Sequence, residues 1–266
     1  MMSVVSICRL YFTCAFRSQM VYRLSALTGI FTSLFHFLVE LVLWNTLLGA
    51  GIRSGTSMGD MIAYIMINEF VLSLTHSGMA NTLGAEIRDG SVVMHLIRPF
   101  SFRLYLLSGM LGENSYHLLK NFIPVFITGC ILAGFPLPPA AANFFMFSAL
   151  TFLGIYIMFQ IIFISALLAF WTQATWFLSW YVRAGVFFFG GAIIPLWFYP
   201  SVLQNISRYL PFRYITFEAI DFYLGKAPLA RAGWSLAIAV LWCLILTLGA
   251  QALWTLARKK LTVNGG

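Results

Sequence analysis

The sequence predicts an all-α, polytopic membrane protein, and three observations carry that prediction. Hydrophobic residues make up 61% of the chain and charged ones only 9%, whereas a soluble domain carries about 25% charged residues. So little charge cannot coat a water-facing surface, and much of the surface must face lipid. The apolar residues also fall into runs of span length, and 266 residues suit about six spans of about 20 residues plus short loops. Finally, the basic residues divide unequally between the two sides of those runs. No second domain fits in what remains, so residues 1–266 read as one transmembrane domain.

The elements follow in order. Residues 1–23 are not a span, because Arg9, Arg17 and Arg23 interrupt them. At about 100° per residue, Ser6, Arg9, Thr13 and Arg17 share a stripe, with Val4, Cys8, Tyr11, Phe12 and Ala15 opposite. That pattern predicts an amphipathic helix lying in the headgroup plane. The expected spans cover residues 24–48, 58–75, 116–135, 142–170, 176–198 and 234–256. Lys120 falls in the third and is expected to snorkel to the interface. Between the second and third spans, residues 76–115 form the longest polar interruption, with Glu86, Arg88, Asp89, Arg98, Arg103 and Glu113. Between the fifth and sixth lies a Pro-punctuated amphipathic stretch, 199–232.

Pro195, Pro200 and Pro211 are expected to break the helical path there. A backbone donor removed at membrane depth needs cover from protein or water. Residues 200–210 are expected to form a short helix in the outer leaflet, with Tyr199, Leu203 and Leu210 toward lipid or the pathway.

With the N-terminus inside, ten of the 16 Lys and Arg are cytoplasmic and five (Arg53, Arg208, Arg213, Lys226 and Arg231) lie outside, Arg183 being within a span. An even number of spans puts both termini in the cytoplasm. The net charge of +8 thus belongs to loops that meet anionic lipid headgroups. No basic cluster exceeds Arg258, Lys259 and Lys260, so nucleic acid is not an expected partner. The first apolar run begins near Leu24 and is too long for the core of a cleavable signal.

Catalytic and metal-binding constellations are missing from the sequence. There is no G-x-x-x-x-G-K-[ST] loop to cradle ATP, no H-E-x-x-H and no G-x-S-x-G. Cys8, Cys14, Cys130 and Cys243 are scattered and read as small apolar residues rather than ligands or a disulfide frame. Intramembrane ionisable residues are the remaining place to look for function. His36 and Glu40 are four apart on the first span, and Glu69 and His76 seven apart on the second, so each pair shares a helical face. Arg183, with Gln160, belongs to the same class. Two roles fit these groups: a proton relay or polar substrate contact, or inter-helix hydrogen bonds that fix packing.

The segment Ile87-Arg88-Asp89-Gly90-Ser91-Val92-Val93-Met94-His95-Leu96-Ile97-Arg98-Pro99 resembles a signature of ABC type-2 exporter permeases. Further matches follow in register: Ala169-Phe170-Trp171-Thr172, Gly191-Ala192-Ile193-Ile194-Pro195-Leu196 with Tyr199-Pro200 and Leu210-Pro211-Phe212, and the tail Leu261-Thr262-Val263-Asn264-Gly265-Gly266. The resemblance covers essentially the whole chain. It implies six helices, an N-terminal interfacial helix, a cytoplasmic coupling helix between the second and third spans, and outer re-entrant helices before the sixth.

The resemblance also implies a bacterial inner membrane, export, a separate P-loop ATPase holding ATP and Mg, and a second permease, often non-identical. The coupling segment would be residues 86–103. Asp89-Gly90 supplies a turn, Ser91 caps a helix over 92–97, and Pro99 stops it by restricting Arg98. Val93, Leu96 and Ile97 would fill a groove on the ATPase, with Glu86, Arg88, Asp89 and Arg98 around it. No cofactor is expected in the chain itself. Two other classes compete with a permease: an ion-coupled secondary transporter using His36, Glu40 or Glu69, and an intramembrane enzyme, which the missing catalytic set disfavours.

Overall fold

The computed structural model describes residues 4–21, 23–51, 55–76, 78–96, 100–172 and 176–261. All regular structure among them is helical. Five helical stretches are long and apolar enough to cross a membrane, and the apolar helix Phe177–Phe189 is shorter. The chain is a multi-pass membrane protein.

Helix α1 (Val4–Met20) has no fully buried residue. It packs its apolar face along a later helix, with the Tyr11 ring 4.6 Å from that of Tyr105 and Phe16 6.2 Å from Tyr116. Helix α2 (Arg23–Gly49) buries Phe37, Glu40 and Trp44, while Phe31, Phe35 and Val42 on its other face are exposed. Helix α3 (Met58–Thr75) starts at a capping box in which Ser57 and Asp60 exchange hydrogen bonds, satisfying two donors that the first turn leaves free.

Helices α4 (Met79–Asp89) and α5 (Val93–Leu96) occupy the polar interruption. The helix of α4 was not expected. Its sequence is polar on average but strongly one-sided, and it buries Met79, Leu83 and Ile87.

The third span also differs from expectation. Rather than starting at residue 116, it begins at Phe102 and runs without interruption to Ala133: α6 (Phe102–His117), a π-helical stretch (Leu118–Phe122) and α7 (Ile123–Ala133). Arg103 and Glu113 read as part of the polar interruption, and Lys120 as a cation within the span that must snorkel. In the structure Arg103 instead lies over the Phe163 ring and Lys120 over the Tyr116 ring. Leu106 and Met110 of α6 pack with α4, whereas Val125 of α7 packs with Ile62 and Met66 of α3.

Helix α8 (Ala141–Leu167, with one tighter turn to Phe170) is the central post of the bundle. Its Gln160 amide donates to Tyr156 Oη (2.7 Å) and to Thr247 Oγ1 (2.9 Å), a packing bond of the kind expected for a buried amide.

The fifth span is broken, contrary to a continuous helix over 176–198. Helix α9 (Trp176–Phe189) stops six residues before Pro195, and the chain turns at Gly191 (φ +70°). Four successive carbonyls exposed by the break each accept a side-chain hydrogen bond. Phe189 O takes Ser207, Gly190 O takes Thr216, Gly191 O takes Tyr64 and Ala192 O takes Asn68. Protein groups thus supply the cover that a helix interruption at membrane depth needs.

After the turn at Leu196–Phe198 come α10 (Ser201–Arg208), α11 (Pro211–Ile215), α12 (Phe217–Tyr223) and α13 (Ala232–Leu261). Pro200 precedes α10 and Pro211 opens α11, where a missing N–H costs no helical bond. On α10 the exposed apolar residues are Val202 and Ile206, with Tyr209 after them, while Tyr199, Leu203 and Leu210 are half-buried. Helix α12 is buried throughout its length and α11 at every residue but Phe212, and both are pressed against α8. Gly154 of α8 permits this: a Cβ there would stand 2.8 Å from Tyr214 O and 2.9 Å from Ile215 O. Helix α13 extends at both ends past the expected 234–256, ending with Arg258, Lys259 and Lys260 in its last turn.

Candidate functional site

The five intramembrane polar residues picked from the sequence line two adjoining cavities. The larger, about 540 Å³, lies among α3, α4, α8 and α9 and receives Glu69, His76 and Arg183. The smaller, about 50 Å³, lies between α2 and α3 and receives His36, Glu40 and Glu69. Glu69, Leu72 and Phe187 belong to both walls, so Glu69 stands at the divide. Helical periodicity explains the gathering: residues 69 and 76 are seven apart, as are 69 and 62, and fall on one face of α3.

Within the smaller cavity, His36 Nδ1 lies 3.4 Å from Glu40 Oε1; Glu40 is buried and His36 exposed. In the larger one, His76 ends α3 and packs against His117 of α6, the rings tilted by 36° with centroids 3.8 Å apart. Across the cavity Ser179 Oγ donates to Asn81 Oδ1 (3.1 Å), tying α9 to the first turn of α4.

Helix α4 leads from this cavity to the expected coupling segment. Gly90 (φ +80°) ends it in the left-handed conformation, which costs a residue without Cβ least. Val92 N then donates back to Glu86 O (3.0 Å), and Ser91 N donates to Asp89 Oδ1 (2.9 Å). Of the helix expected over 92–97, α5 covers Val93–Leu96, with the Ser91 N–H taken by the Asp89 carboxylate, and residue 97 lies outside the described residues. Val92 is fully buried, whereas Val93 is 45% exposed and Met94 60%. Glu86 lies beneath the turn with His95 Nε2 3.4 Å from its carboxylate, and Arg88 and Asp89 are exposed. Leu96 ends α5; Ile97, Arg98 and Pro99 lie outside the described residues.

A second charged site was missed. Arg213 Nε donates to Glu218 Oε2 (2.6 Å), and Arg231 donates to Glu218 Oε1 and to Asp221 Oδ2 (3.0 Å each). Ser235 Oγ completes the shell of Glu218, and the Arg213 guanidinium lies over the Phe217 ring. Two cations and two anions thus balance inside the protein. From sequence the two arginines counted only as outer loop charges. The available signal was Glu218 and Asp221, three apart, within the otherwise apolar run Phe217–Tyr223.

Burial alone would raise the Glu218 carboxyl, but Arg213, Ser235 and Arg231 outweigh it and hold it below the usual range. Asp221 is pushed up to about 6, first by burial and then by the charge of Glu218, against the pull of Arg231. The folded chain therefore keeps the Asp221 proton to higher pH than the unfolded chain does. Its contribution to stability is greatest in acid and is lost as pH rises through about 6. Asp221→Asn is expected to remove that loss, on the order of 1–3 kcal/mol. The check compares thermal midpoints of the detergent-purified protein at pH 5 and pH 7. The difference between the two should shrink in the variant relative to wild type.

The family model of the ABC-2 family transporter protein matches residues 20–265. The chain belongs to the ABC-2 transporter family. It is therefore a permease subunit of an ABC transporter, a membrane subunit that works with an ATP-binding cassette ATPase. No curated protein sequence matches the chain. As an ABC-2 permease it needs a route for substrate. The two cavities and the α4–α5 turn are where its polar residues and its exposed helical turn gather.

Proposed function

We propose that this ABC-2 permease exports its substrate, forms half of the translocation pathway with a second permease, and is driven by ATP and Mg bound in the partner ATPase. Export is favoured by the resemblance of residues 87–99 to exporter permeases. The observation that carries the coupling is the path of α4. One 11-residue helix has Ala80 and Asn81 in the cavity wall and Gly90 at the start of the exposed turn. A helix transmits displacement along its axis, so a push on the α5 turn reaches the cavity through Asn81 and its bond to Ser179 on α9. The five polar residues then act as pathway lining rather than as an ion relay, and no bond chemistry is assigned to them.

The test uses the permease with its ATPase, in a background lacking Cys8, Cys14, Cys130 and Cys243. Asn81→Cys and Ser179→Cys should cross-link readily under mild oxidation, and vanadate trapping of the ATPase should change the yield several-fold. The permease alone should turn over no ATP. An unchanged yield in the trapped complex, or ATP turnover by the isolated chain, would overturn the proposal.

A further inference from the structure

We infer that the larger cavity receives an amphipathic organic anion, with its charged head at Arg183 and His76 and its apolar body against Leu72, Ile162 and Phe187. This deepens the reading above and rests on the cavity being the transport pathway. Its volume, about 540 Å³, is in the range of about 300–1,000 Å³ that holds a drug-sized molecule. The lining is electrically sorted. At the end near α4, Arg183 and His76 come from facing helices, with the Asn81 and Asn121 amides beside them. Arg183 is exposed to the cavity and forms no ion pair within 4 Å with an acidic group among the described residues.

Behind His76, His117 and Lys120 add protonatable groups from α6 and the π-helical stretch. Glu69 is the one acidic residue of the wall. It lies two helical turns from His76, about 10 Å along the α3 axis, beside the divide to the smaller cavity. A guanidinium without an acid partner, flanked by amide donors and next to an apolar wall, recognises a sulfonate, phosphate or carboxylate on a hydrophobic scaffold. A cationic amphiphile would instead have to turn its charge toward Glu69, away from Arg183.

The experiment is a fluorescence titration of the permease–ATPase complex in nanodiscs of zwitterionic lipid. The probes are 1-anilinonaphthalene-8-sulfonate and its uncharged parent, N-phenyl-1-naphthylamine. Arg183→Ala should weaken saturable binding of the sulfonate about tenfold or more, while the uncharged parent changes by less than about twofold. Arg183→Lys should recover most of the sulfonate affinity. Equal affinities of wild type and Arg183→Ala for the sulfonate would overturn the inference. So would a parallel loss of both probes, because charge would then not be what is read.

A separate arm isolates the reading on which this depends. Vanadate trapping should alter sulfonate affinity in wild type. If Arg183-dependent binding is present but insensitive to trapping, the anion site stands and the pathway reading falls. If trapping still alters the 81–179 cross-link while Arg183 proves irrelevant to the sulfonate, the pathway reading stands and the anion falls.

Discussion

Arg213→Ala is expected to lower the thermal midpoint of the purified protein by roughly 10 °C. Arg213 is 5% exposed and Glu218 2% exposed, so removing the cation strands a carboxylate where water cannot replace it. Breaking a buried pair from one side costs about 3–5 kcal/mol. Arg231 and Ser235 still hold the other carboxylate oxygen of Glu218, which puts the cost near the lower figure. At about 2–4 °C per kcal/mol for a chain of this size, the stated shift follows.

The double variant Arg213→Met, Glu218→Met provides the control. It removes one charge of each sign, leaves Arg231 with Asp221 at 3.0 Å, and fills the space with apolar side chains. Its midpoint should lie well above that of Arg213→Ala. If the double variant is the less stable of the two, charge balance is not what the cluster provides. Thermal scanning by intrinsic fluorescence, with recovery from size-exclusion chromatography, measures both.

Val93→Asp is expected to leave insertion and folding intact while transport falls at least tenfold. Val93 is 45% exposed on α5, so the fold has little stake in it. If the turn seats in a groove of the ATPase, an aspartate there would be buried without a partner, at a docking cost of several kcal/mol. Val92→Asp is the contrast. Val92 is fully buried beside Leu83 and Ile87, so its aspartate should prevent folding rather than docking. The measurement is co-purification of the ATPase and transport by the reconstituted complex. Normal docking and transport by Val93→Asp would remove α5 from the coupling surface.

Local signals made part of this fold legible. Ser57 and Asp60 write a capping box into four residues, and α3 begins and ends where the expected span does. The apolar run of α2 is bounded by Arg23 and by the glycines at 49 and 51, and its helix has the same bounds within a residue. Cavity residues were legible too, because four- and seven-residue spacings fix a common face on a helix before any neighbour is known.

What sequence could not supply was the identity of that neighbour. Arg103 looks like a break in an apolar run until Phe163 is seen beneath it. Arg213 and Arg231 look like topology signals until Glu218 and Asp221 are seen between them. The expected fifth span ran on to residue 198, with the break laid on Pro195, Pro200 and Pro211, because proline is the louder breaker. The chain breaks earlier, where Ser207, Thr216, Tyr64 and Asn68 converge on four carbonyls, an arrangement distributed over three segments distant in sequence.

The π-helical stretch at Leu118–Phe122 sets the rotational phase between the two halves of one long helix. An α-helix advances about 100° per residue, and a π turn takes up an extra residue without breaking the rod. The half that holds Leu106 and Met110 toward α4 can therefore differ in heading from the half that holds Val125 toward α3. The joint works like a keyed shaft, in which the length of the insert, more than its chemistry, fixes the alignment of the ends. Substitutions within 118–122 preserve that alignment. Loss of one residue there would swing Val125 away from Ile62 and Met66 by roughly a quarter turn, so the segment constrains chain length more tightly than residue type.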